Sequence, residues 1–204
     1  GEVHDGAATM DWMKQEQERG ITITAATTRV EWRGFDLHLI DTPGHVDFTV
    51  EVERSLRVLD GVVLVLDAVA GVQPQTETIW RQSVKYEVPK LCFVNKMDRI
   101  GVDFERAVKS LKEKLGANPC PIFWPIGAES QFRGIIDLIT CEELTWTEDT
   151  LGAAMNRNPV SGDNQPLLEA GREAMMEALA DFDDSIAEAF LEGIFPSEEI
   201  LRAP

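Results

Sequence analysis

Apolar and polar residues change rhythm several times along this chain, and each rhythm predicts an element. ATTRVEW and FDLHLI, residues 26–32 and 35–40, alternate at period two around Arg33-Gly34, which predicts a β-hairpin. VDFTVEVERSLRVL follows helical spacing despite its valines, and GVVLVLDA is a continuous apolar run that reads as a buried strand. A further helix is expected over PQTETIWRQSVKYEV, where Pro74 suits the first turn, and a further apolar strand over KLCFVN. In DFERAVKSLKEKLG the residues Phe104, Val108, Leu111 and Leu115 share one helical face, Asp103 can cap the start and Gly116 can end it. Apolar strands separated by helix-length segments predict an α/β fold, with a mostly parallel sheet and helices on both faces.

Beyond Gly116 the rhythm weakens. NPCPIFWPIGAESQFRG is dense in Pro and Gly, GIIDLI and ELTW are short strand candidates, and TLGAAMNRNPVSGDNQP reads as loop. From Leu168 the positions Met175, Leu179, Phe182, Ile186 and Phe190 keep helical spacing until Gly193 and Pro196 stop it. Charge changes at the same point. Residues 1–116 hold 15 Lys and Arg against 19 Asp and Glu, whereas 117–204 hold 4 against 17, so net charges of −4 and −13 make up the total of −17. We therefore expect a core over residues 1–116 and an acidic α+β insert subdomain over 117–204. So few basic groups argue against nucleic-acid contact by the second half, because phosphate contacts need them. A basic protein partner fits better, and a solvated acidic face is the plainer alternative.

Composition adds little else. Hydrophobic residues at 44% support a globular fold, and no apolar run approaches the length of a membrane span. The start, GEVHDGAATM, has neither the basic opening nor the apolar core of an export signal. Cys92, Cys120 and Cys141 are an odd, widely spaced trio without a CxxC pair, which suits a reducing compartment and buried thiols.

Candidate chemistry gathers where apolar strands end. LIDTPGHVDF sets Asp41, Thr42, Pro43, Gly44 and His45 at the end of one strand, and KLCFVNKMD sets Asn95, Lys96, Met97 and Asp98 at the end of another. In open α/β sheets ligands bind at the strands' carboxyl ends. An Asp there can accept hydrogen bonds from guanine N1–H and its 2-amino group, a pair that adenine lacks, while Asn95 reaches the other edge of the base and Lys96 lays its methylenes over it. A DxxG match alone is expected in about one chain in two, but NKxD in roughly a few per cent, so the ordered pair outweighs chance. Upstream, EQERGITIT offers Thr22 as a hydroxyl able to complete Mg²⁺ coordination in a segment that orders with a γ-phosphate.

RGITIT, DTPGHVDF, VLDAVAGVQPQTETIWRQ and NKMDR resemble the GTPase domain of elongation factor G, as do MDWMKQEQERGITIT and the insert's PIGAE, GIIDLI and FLEG. The resemblance implies a P-loop GTPase fold with GTP, GDP and Mg²⁺ as ligands. It places Thr22, Asp41, Thr42, Pro43, Gly44, His45, Asn95, Lys96, Met97 and Asp98 around GTP. Thr22 and Asp41 would serve Mg²⁺, Asp41 through water, and Gly44 would give its N–H to the γ-phosphate. His45 would orient the attacking water, the role a glutamine has in Ras-like GTPases. A phosphate loop of the form GxxxxGK[ST] is absent from residues 1–204, and so is the family's last guanine loop. The chain is accordingly expected to be an internal piece of a longer GTPase, inactive alone. The implied setting is a monomeric ribosomal translocation factor of the cytoplasm or an organellar matrix, free of membranes. It would meet the ribosome's GTPase-activating region and stalk protein, moving tRNA and mRNA through domains outside this sequence. The alternatives are another translational GTPase, such as a recycling paralogue or a ribosomal protection protein, and a truncated nonenzymatic binding module.

Overall fold

The computed structural model describes residues 25–42, 49–146 and 154–202. They divide into two compact units: one takes in the described chain up to Val65 with Gln73–Phe93, the other Leu66–Val72 and the chain from Val94 onward.

In the first unit, strands β1 (Ala26–Trp32) and β2 (Phe35–Asp41) form the expected antiparallel hairpin. Arg33 and Gly34 both take positive φ, 49° and 82°, as a two-residue I′ turn requires. Helix α1 (Thr49–Leu56) packs on helix α2 (Pro74–Lys85), which Pro74 opens. Val52, Leu56 and Val88 form their shared core, with Leu59, Val62, Ile79 and Tyr86 around it. At its rim the Tyr86 hydroxyl and Lys85 Nζ donate to Glu53 at 2.8 and 3.1 Å, and hold that carboxyl below its usual value.

Strands β3 (Val62–Asp67) and β4 (Lys90–Asn95) are hydrogen-bonded neighbours. Val62 N–H donates to Pro89 O and Ala68 N–H to Asn95 O. The partner advances in step with the strand, so the pairing is parallel, as apolar strands joined through a helix predict.

In the second unit, helix α3 (Phe104–Leu115) carries the caps expected for it. Asp103 accepts the Arg106 N–H at 2.8 Å, and Gly116 ends the helix at φ 62°. The loop after β3 is tied to this helix: Val72 N–H donates to Ser110 Oγ at 3.0 Å, and Lys114 Nζ to Val72 O at 2.6 Å. A four-stranded antiparallel sheet follows, in the order β5 (Phe123–Ile126), β6 (Gly134–Asp137), β7 (Glu142–Trp146), β8 (Met155–Pro159). Helix α4 (Gln165–Ala180) covers it, burying Leu168 and Met175 against Trp124, Ile126, Ile136 and Leu138.

One strand of this unit was not foreseen, and two expectations are corrected. β5 lies inside the Pro-rich stretch, where Pro125 is tolerated because β5 is an edge strand. β8 falls in the expected loop: its five residues are all exposed, and backbone pairing to β7 with an Arg157–Glu142 ion pair at 3.0 Å makes it a strand. The helical spacing to Phe190 conceals a break. Helix α4 ends at Ala180, and α5 (Asp184–Leu191) starts afresh because Asp183 accepts the N–H groups of Ser185 and Ile186 at 2.8 and 3.2 Å. Phe182, at the break, is 77% exposed. A last turn of helix, α6 (Glu198–Leu201), is capped by Ser197.

The three thiols are half-buried. Burial pushes Cys92 and Cys120 up, with Lys90 partly offsetting it at Cys92, and Cys141 Sγ accepts from Arg172 at 2.7 Å. Among the described residues no helix is long and apolar enough to cross a membrane.

Candidate functional site

Of the residues expected around a nucleotide, Thr22, Pro43, Gly44 and His45 lie outside the described residues. Asp41 ends β2 exposed, and Thr42 follows it half-buried, both in the first unit. Asn95, Lys96, Met97 and Asp98 form one loop of the second unit.

That loop is built from the last rung of the β3–β4 ladder. Asn95 O accepts the Ala68 N–H at 3.0 Å, while its side-chain oxygen takes the next N–H, that of Lys96, at 2.9 Å. Lys96 adopts φ 66° and turns the chain, and its carbonyl accepts the Arg99 N–H at 3.2 Å to close the turn. Met97 is buried and anchors the loop from below. Asp98 is exposed, and among the described residues its carboxylate has no partner. A fixed backbone thus presents an uncommitted two-oxygen acceptor, which is what guanine's N1–H and 2-amino group require.

Lys96, expected to lie along a base, is tied to a second carboxylate. Its ammonium sits 3.2 Å from Asp67 Oδ2, and Arg99 lies 3.8 Å from the same oxygen. Asp67 Oδ1 in turn accepts the N–H groups of Val69 and Ala70 at 2.9 and 3.1 Å. Burial pushes this carboxyl up, but those two N–H groups and Lys96 outweigh it and leave it below its usual value. Arg106 completes the frame, donating at 3.0 Å to both Val69 O and Gly101 O. Neither Asp67 nor Arg106 is singled out by motif reading. Asp67 does end an apolar strand as Asp41 and Asn95 do, and that position is the signal available for it.

For a divalent ion the described donors are few. Among the described residues no group of three or more His, Cys, Asp or Glu gathers in one place. The carboxylate of Asp41 is the one candidate ligand among the expected residues described, and a single carboxylate is compatible with Mg²⁺, which keeps several waters and takes one or two carboxylates.

Residues 1–191 match the family model of the elongation factor Tu GTP binding domain. Over all 204 residues the chain is 55% identical to elongation factor G 2 of Syntrophus aciditrophicus (strain SB), and it spans 30% of that relative's length. It is also similar to a crystal structure from Thermus thermophilus, 25% identical with a TM-score of 0.81, over 98% of this chain and 29% of that one. An open carboxylate at the end of a parallel strand thus lies within a family match that runs through residues 1–191: the chain belongs to the elongation factor Tu GTP-binding domain family, and its mixed α/β fold is that family's.

Proposed function

We propose that this chain forms the guanine-reading and γ-phosphate-sensing part of a GTPase that drives movement of tRNA and mRNA on the ribosome. The observation that carries the reading is the loop Asn95–Asp98, where a braced backbone leaves the Asp98 carboxylate open. The relative's name, elongation factor G 2, supports the translational setting. Asn95 and Asp98 read the base, and Lys96 joins the base loop to Asp67. Asp41 with Thr22 holds Mg²⁺, which when bound neutralises phosphate charge. Thr42, Pro43 and Gly44 line the γ-phosphate, and His45 positions the attacking water once the ribosome is engaged. Residues 1–116 serve as the GTPase core and 117–204 as an insert meeting the ribosomal stalk, a division supported by the change in charge at Gly116.

The test uses the full-length factor. Asp98→Asn replaces two acceptors with one acceptor and one donor, which suits the 2-oxo group of xanthine in place of guanine's 2-amino group. GTP affinity should fall by roughly a hundredfold, two charge-assisted hydrogen bonds being lost, and XTP affinity should rise. Retained GTP affinity with no gain for XTP removes Asp98 from base reading.

A further inference from the structure

We infer that Glu129 is a positioning residue for guanine recognition, holding the base-reading loop in register from the segment beyond α3. The inference rests on Asp98 reading guanine. Glu129 makes two bonds to that loop, one on each side of Asp98: its own N–H donates to Met97 O at 2.8 Å, and its Oε1 accepts the Gly101 N–H at 2.7 Å. These fasten the loop at the Met97–Asp98 peptide and at the Ile100–Gly101 peptide, before and after the residue whose carboxylate must meet two donors at fixed angles. Lys96 and Arg106 brace the same loop, through Asp67 and through Gly101 O. Among the described residues only Glu129 grips the carbonyl of Met97, the residue next to Asp98.

The local backbone is shaped for this contact. Glu129 has φ 54°, a left-handed conformation that side chains other than Gly, Asn and Asp rarely take, and such outliers persist where the surroundings over-determine them. The turn is closed from both sides, by Gln131 N–H to Ala128 O at 3.0 Å and Phe132 N–H to Glu129 O at 3.1 Å. Gly127, at φ 78°, opens it, and a Cβ there would collide with the Gln131 carbonyl. The chain thus accepts a disfavoured geometry at a residue whose side chain and backbone both serve the base loop.

Inosine separates positioning from folding, because it keeps N1–H but lacks the 2-amino group, so a misplaced Asp98 harms guanine more. In the full-length factor, Glu129→Ala should speed GDP release roughly tenfold and shrink the preference for GDP over IDP several-fold. Glu129→Gln keeps an acceptor for the Gly101 N–H and shares the backbone strain, so it should restore the preference. If the Ala variant fails to fold, Glu129→Asp, too short to reach Gly101, should show the same loss beside Gln. An unchanged GDP-to-IDP ratio in both the Ala and Asp variants, or equal weakening of both nucleotides with a lowered Tm, overturns the inference. Asp98→Asn is run in parallel. A shift to XTP there with an unchanged ratio in the Glu129 variants defeats the positioning role alone, whereas no shift defeats the base reading beneath it.

Discussion

Lys96 and Asp98 stand two residues apart in one loop, yet one is tied to Asp67 and the other is left open. The division suits the base reading proposed for Asp98: the framework is satisfied internally, and the open carboxylate would lose its water only against a ligand. The task proposed for His45 is of a different kind, in the transition state more than in binding. In the intact factor His45→Ala should keep GTP affinity within a few-fold while ribosome-stimulated hydrolysis falls by roughly a hundredfold, the scale of a lost positioned catalytic group. Single-turnover hydrolysis on ribosomes beside nucleotide dissociation constants checks this, and a proportional loss of affinity would make His45 a binding residue. The strand-end loop that holds Asn95 and Asp98 was legible in the sequence because it lies in one short motif. Arg106 and Glu129 were not, because their contacts span 37 and 28 residues and no local pattern encodes them.

At the scale of elements, legibility followed side-chain pattern and failed where backbone chemistry decides. The hairpin β1–β2 and helix α3 carry strong periodicity and their own caps, and they form as read. β8 has no apolar alternation, so only its hydrogen bonds to β7 make it a strand. The break between α4 and α5 came from a single side chain that the apolar spacing ran straight across. Removing that cap with Asp183→Ala should raise hydrogen-exchange rates of the α5 amides by roughly fivefold, with Asp183→Asn restoring most of the protection. The Ser185 and Ile186 donors favour the ionised carboxyl and hold it below its ordinary value of 3.8. The cap's contribution is therefore full above that value and is lost as pH falls through the lower value of the folded state. Equal exchange in wild type and the Ala variant at neutral pH would show that packing of Ile186 alone sets the helix start.

Across the whole molecule, charge is the property most unevenly shared. The segment 117–204 carries −13 of the total −17. Glu169, Glu173 and Glu177 are exposed at four-residue spacing along α4, and beyond its end Asp181 accepts from Asn118 at 2.9 Å. Such a row would complement a basic surface and would act chiefly on encounter rates. Reversing the three glutamates to lysine in the intact factor should slow ribosome-stimulated turnover several-fold at low salt, with the loss shrinking as salt screens the attraction. Unchanged stimulation at low salt would mark the row as a solvated face. The sequence disclosed the asymmetry itself, since charge needs only counting. Whether an acidic face is used depends on a partner's surface, which no single chain encodes.

The state of the cysteines bears on how such encounters can be watched. Cys92 and Cys120 are half-buried with thiols raised by burial, so the thiolate that attacks a maleimide is scarce at both. Replacing Cys141 by serine would take the third thiol of residues 1–204 out of competition. A cysteine placed at exposed Glu173 would then accept a fluorophore selectively, turning the acidic helix into its own optical reporter of docking in real time.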